Sequence, residues 1–192
     1  GCRSKPGVRP GSLLSSLRLA CYATLEAVDV YTKILAVAPQ EELGGFHYEA
    51  GLVRLMAARK ESRTTKHLEA ALDHFLQASR DSLWKHEARL EAAWVYLELA
   101  RRLQTRANLP GKYRQLSDAE RESLIENQYE QAFEQVQQLS IYYRSPGFPR
   151  DDFREVARRT LMGMGRFRDA DCFADMRNLP YGDRAHCRDL TL

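Results

Sequence analysis

The sequence predicts an all-helical protein, on three observations. Leu, Ala, Glu and Arg are abundant while β-branched residues are sparse, a balance that favours helix over strand. Apolar residues recur three and four positions apart over long runs, the period that lines one face of a helix. Between those runs stand breaks rich in Pro, Gly and charge, such as RSPGFPR at 144–150.

Composition sets the outer limits. A chain of 192 residues is long enough for one buried core. A net charge of +3 with 29% charged residues carries no concentrated basic stripe, so nucleic acid is not an expected partner. No run approaches the roughly eighteen apolar residues that a membrane-spanning helix needs.

Three segments follow in order. Residues 1–11, GCRSKPGVRPG, read as a flexible tether, with two prolines, three glycines and nothing to bury. Residues 12–176 form the helical domain, and 177–192 a polar, turn-rich tail.

The domain opens with a long helix over Ser12–Ala38, where Leu14, Leu17, Cys21, Thr24, Val28, Tyr31 and Leu35 make one apolar stripe. Ala27, Tyr31 and Ile34 share a face, and Pro39 ends the run. Cys21 reads as a small buried hydrophobe. A second helix spans Glu41–Lys60 after a loosening at Gly44-Gly45, and Gly51 within it marks a close helix crossing. The charged break at 59–66 leads to Leu68–Asp81, where Ala71, Phe75 and Ala78 repeat the earlier spacing.

Ser82–Thr105 is the most apolar helix and is predicted at the centre of the stack. It carries Leu83, Trp84, Leu90, Ala93, Trp94, Tyr96, Leu97 and Leu103 around most of its circumference. After a loop around Pro110-Gly111, the capping box Ser117–Glu120 opens a helix reaching about Tyr143, with Ala132, Val136 and Leu139 as the third copy of the spacing. Its glutamates at 120, 122, 126, 130 and 134 read as a solvated acidic face. Asp152 with Glu155 predicts a second capping box, and Gly165 a turn five residues before Ala170.

The second-helix signature thus appears at Ala27, Ala71, Ala132 and Ala170, separated by 44, 61 and 38 residues. A small residue, two larger ones and a terminal proline resemble the second helix of a tetratricopeptide (TPR) repeat, whose standard period is about 34 residues. The resemblance covers 26–176. It implies a TPR-like stack of antiparallel helix pairs, about seven helices in all, with irregular repeats.

The cysteines separate into two groups. Gly1-Cys2 resembles the end of a bacterial lipoprotein cleavage box, which implies lipidation at Cys2. With Arg3 following, the implied destination is the outer membrane, facing the periplasm. Cys172 on the last helix and Cys187 in the tail read as a disulfide, which contributes about 3 kcal/mol and belongs to an oxidising compartment. Two unpaired thiols in a cytosolic protein are the alternative.

No catalytic constellation is present. The five histidines, His47, His67, His74, His86 and His186, form no metal-ligand spacing and read as surface residues. No GxSxG, Walker or GxGxxG motif occurs, and neither metal, cofactor nor small-molecule substrate is expected. An enzyme of unfamiliar type would need a deep pocket with converging His, Asp or Cys.

The resemblance to lipid-anchored TPR proteins of bacterial envelopes implies a non-enzymatic scaffold or adaptor. Its partners would be other envelope proteins or peptides of a secretion, pilus or peptidoglycan machine. A cytosolic TPR-like chaperone for secretion substrates is the alternative. In such stacks the first helix of each pair lines a groove. The expected anchors are Tyr48, Arg54, Arg89 and Tyr96, with plain core as the other reading for the two tyrosines.

Overall fold

A computed structural model describes residues 25–60, 65–105 and 111–174, together with Cys187. All secondary structure among the described residues is helical. Seven helices have five residues or more: α1 (Leu25–Leu35), α2 (Leu43–Lys60), α3 (Lys66–Ala78), α4 (Lys85–Gln104), α5 (Asp118–Ser140), α6 (Arg150–Gly163) and α7 (Phe167–Asp171). A 3-10 turn at Gln40–Glu42 and a four-residue helix at Gly111–Arg114 complete the set. The tether, Cys2 and Cys21 fall outside the described residues.

Consecutive helices form hairpins. α2 and α3 run antiparallel, since Gly44 meets Asp81, Gly51 meets Phe75 and Arg54 meets His67. In the next pair, Lys85 of α4 donates to Tyr142 and Arg89 to Gln135 of α5. Gly165, at φ +73°, turns α6 into α7, a conformation open to glycine at little cost.

The first helices of these hairpins run parallel to one another. Tyr48 of α2 stacks on Trp84 just before α4, while at the far ends Arg102 donates to the Ala58 carbonyl. Likewise His86 of α4 lies by Phe148 just before α6, and Trp94 by Arg159. α4 therefore sits between α2 and α6, at the centre of the described stack.

Three apolar cores follow the stack. Ala27, Val28 and Tyr31 of α1 pack on Ala50, Val53 and Ala57 of α2. Ala58, Leu68, Ala71 and Phe75 pack on Ala92, Val95 and Leu99. Leu90, Ala93, Tyr96 and Leu97 pack on Ala132, Val136, Leu139, Phe153, Val156 and Ala157. α4 contributes to two of the three, so only a narrow strip of it reaches solvent.

Several sequence expectations are corrected in detail. The first helix ends at Leu35, where the Val37 N–H turns back to the Ile34 carbonyl, and Pro39 opens the following 3-10 turn. Gly44 and Gly45 lie inside α2 rather than before it. They are small because a Cβ on Gly44 would overlap the Asp81 side chain, and one on Gly45 would lie 3.3 Å from Trp84 Nε1. Leu83 precedes α4 and is 80% exposed. The Ser117 capping box forms in full, Ser117 Oγ accepting from the Glu120 N–H and Glu120 Oε2 from the Ser117 N–H. The one expected at Asp152–Glu155 does not form. Pro149 occupies the cap position, and Glu155 turns instead to Arg158 and Arg159.

Cys172 and Cys187 are joined by a disulfide, with Cα atoms 5.2 Å apart. No described helix is long and apolar enough to cross a membrane.

Candidate functional site: the inner row of α4

Helical phase decides which side chains the stack leaves available. On α4, Ala88, Ala92, Val95 and Leu99 belong to the buried arc, as do Leu90, Ala93, Tyr96 and Leu97. Among the positions outside that arc is a row at alternating three- and four-residue steps, Trp84, Glu87, Glu91, Trp94 and Glu98, all only part-buried. The flanking helices carry matching rows. Tyr48, Leu52, Leu55 and Arg59 stand at the same steps on α2, and Asp152, Glu155 and Arg159 on α6.

Aromatic rings frame this surface. Tyr48 stacks on Trp84 at 4.9 Å between centroids and lies 5.8 Å from Phe75. The guanidinium of Arg159 sits 5.0 Å over the Trp94 ring while also pairing with Glu155 at 2.6 Å. That stacking is favourable because the ring face is electron-rich.

The glutamates of the row differ from one another. Burial would raise Glu98, but hydrogen bonds from Arg101 and Arg102 outweigh it and hold the carboxyl below its ordinary range. Glu91 has no such relief. Burial first, then the Asp152 charge, push it up to about 7, and Arg59 only partly offsets them. Neither Glu87 nor Glu91 makes a hydrogen bond or ion pair among the described residues. The Tyr48 hydroxyl is also raised, by burial and then by the charges of Glu91 and Glu87.

Of the four expected anchors, only Tyr48 stands on this surface. Arg54 is three residues past Gly51 and so faces α3, its Nη1 lying 3.4 Å from His67 Nδ1. Arg89 faces α5, where Nη1 donates to Gln135 Oε1 at 2.9 Å. Tyr96 is 7% exposed and belongs to the core between α4, α5 and α6. These three therefore turn away from the row, Arg54 towards α3, Arg89 towards α5 and Tyr96 into the core. Glu87, Glu91 and Trp94 were missed. Their three- and four-residue spacing with Trp84 and Glu98 was the available signal.

Four histidines are corrected as surface residues, while His186 lies outside the described residues. His67 is buried, and His47 and His74 meet across the α2–α3 interface with their Nδ1 atoms 3.1 Å apart. His86 packs on Tyr142, ring centroids 4.1 Å apart. Among the described residues no group of three or more His, Cys, Asp or Glu is arranged to hold a metal ion.

No family model matches this chain, and neither does any curated protein or solved structure. The functional reading therefore rests on the geometry of the stack. A cleft of about 380 Å³ lies by the start of α6, lined by Asp151, Arg154, Glu155, Arg158, Phe173 and Ala174. Three of its four charged side chains are engaged: Arg154 donates to the Ala174 carbonyl, and Glu155 pairs with Arg158.

Proposed function

We propose that this protein is a non-enzymatic TPR-like scaffold, an adaptor that docks other proteins along the inner face of its helix stack. One observation carries the reading. Three parallel first helices set α2, α4 and α6 side by side, and their facing rows leave aromatic and charged side chains half-exposed instead of closing into a fourth core. Rings and charges held on rigid helices are the usual makings of a protein-binding surface.

The TPR-like reading draws on the packed small residues. Ala71, Ala78 and Ala132 are fully buried at 0% exposure and Ala170 at 1%, and Ala71 and Ala132 pack into cores shared between helices. Gly51 has the same role opposite Phe75.

The setting we infer is the bacterial periplasm, with attachment to the outer membrane through Cys2, as part of a secretion, pilus or peptidoglycan assembly. The Cys172–Cys187 disulfide supports an oxidising compartment. Affinity capture from native envelopes, with the N-terminus intact, tests the reading. The scaffold predicts a stoichiometric protein partner that survives a high-salt wash and is absent from a mock capture. Recovery of no protein partner, or two reactive thiols at Cys172 and Cys187 in native-source protein, would contradict it.

A further inference from the structure

We propose that the inner row of α4 receives a basic, extended segment of a partner protein, seating lysine or arginine side chains at Glu87 and Glu91 between the rings of Trp84, Tyr48 and Trp94. The inference rests on the scaffold reading and adds to it the chemistry of the partner.

Three observations carry it. On α4, Glu87 and Glu91 make no ion pair among the described residues, Arg59 only partly offsetting the Glu91 charge, whereas Glu98 holds Arg101 and Arg102, and on α6 Glu155 holds Arg158 and Arg159. A desolvated carboxylate left unpaired is unfavourable, and an incoming cation relieves it. The surface also already accepts a guanidinium from its own chain, since that of Arg159 on α6 sits 5.0 Å over the Trp94 ring. Aromatic rings next to carboxylates are what a lysine or arginine needs, the ring face taking the stem and cation and the carboxylate the charge. Spacing agrees as well. Glu87 and Glu91 are one turn apart, about 6 Å along the axis. Alternate side chains of an extended strand recur every 6.6–6.8 Å or so, so basic residues two apart meet successive carboxylates.

Charge also makes the site selective. The whole chain is +3, so a basic peptide gains nothing from the net field and must be held locally. Glu87, Glu91 and Asp152 together repel an acidic peptide or a nucleic-acid backbone from the same surface.

The test uses the full chain and a fluorescein-labelled dodecapeptide alternating Lys and Ala, with the Glu-Ala counterpart as control, read by anisotropy at low and moderate salt. The proposal expects binding of the Lys-Ala peptide alone. It expects the Glu87→Gln/Glu91→Gln variant to bind on the order of tenfold more weakly, the loss of partners to a desolvated charge. Glu126→Gln, on the exposed acidic face of α5, should bind as wild type does.

Folding of the double variant is checked independently, because removing Glu91's buried charge should raise its melting temperature at pH 8 while binding falls. Equal binding of both peptides, equal weakening by Glu126→Gln, or no binding by wild type would overturn the proposal. So would binding that appears only after residues 1–11 are removed, which would assign the row to the chain's own Arg3, Lys5 and Arg9. Running the envelope capture with the double variant separates the two levels. If wild type recovers a partner and the variant recovers it equally, the scaffold stands and this inference fails. If wild type recovers none, the scaffold reading itself fails.

Discussion

Gly51 of α2 lies directly against the ring of Phe75 of α3, so closely that a Cβ on the glycine would stand 2.6 Å from Cε1. Phe75 is fully buried and cannot retreat. Gly51→Ala therefore sets two effects against each other. Alanine favours the helix by about 1 kcal/mol, while overpacking a close crossing costs about 1–3 kcal/mol. The crossing should win. Urea denaturation is expected to show a net loss of up to about 2 kcal/mol, and a gain would mean that the α2–α3 interface is looser than described.

Glu91 makes stability depend on pH in a defined direction. Its folded value of about 7 lies above the ordinary 4.5, so the folded protein holds more protons than the unfolded one between those limits. Stability from this group is present below about pH 4.5 and is lost as pH rises through 7. Glu91→Gln should raise the melting temperature at pH 8 by about 2–4 °C, allowing for water that still reaches a part-buried carboxylate, and leave it unchanged near pH 4. An equal shift at both values would show that the charge is not the cause.

His47 and His74 act in the opposite sense. Both are held below 6.5, chiefly by burial, with Arg54 and the facing histidine adding to the effect on His74 and Asp73 opposing it on each. The folded protein then binds fewer protons than the unfolded chain, so stability is full above about pH 6.5 and declines as pH falls through it. In a Glu91→Gln background, which removes the opposing effect, the urea midpoint should drop between pH 7.5 and 5.5. His74→Leu should flatten that drop.

The disulfide closes a fifteen-residue separation that ties Cys187 back to the end of the stack. Replacing both cysteines with serine should lower unfolding free energy by about 3 kcal/mol, the scale for a loop of that length. Calorimetry checks this. A change well below 1 kcal/mol would mean that the bond contributes little to holding the stack together.

Much of the fold was legible because it is written in single-helix terms. The buried faces Ala71–Phe75–Ala78 and Ala132–Val136–Leu139 follow from periodicity alone, and the Ser117–Glu120 box from two residues with one local geometry. Gly51 was readable as a crossing point. Gly44 and Gly45 were misread because a glycine pair looks the same whether it loosens a helix or admits a neighbour; only Asp81 and Trp84 decide.

The site was harder to read. Arg54, Arg89 and Tyr96 have the residue types of anchors, but their exposure depends on how many neighbours surround α2 and α4. Tertiary packing sets that number, and periodicity does not report it. Glu91 is the converse case. It reads as one more solvated carboxylate until α2 and α6 are placed on either side of it.

The inner face of α2, α4 and α6 is where we propose that a partner protein docks. Photocrosslinking residues placed at Arg59 and Asp152 on that face, and at Glu126 on the outer face of α5, test it in the native envelope. The expected result is a discrete crosslinked protein from positions 59 and 152, lost in the Glu87→Gln/Glu91→Gln background, and none from 126. Crosslinks from 126 alone, or equally from all three positions, would contradict it.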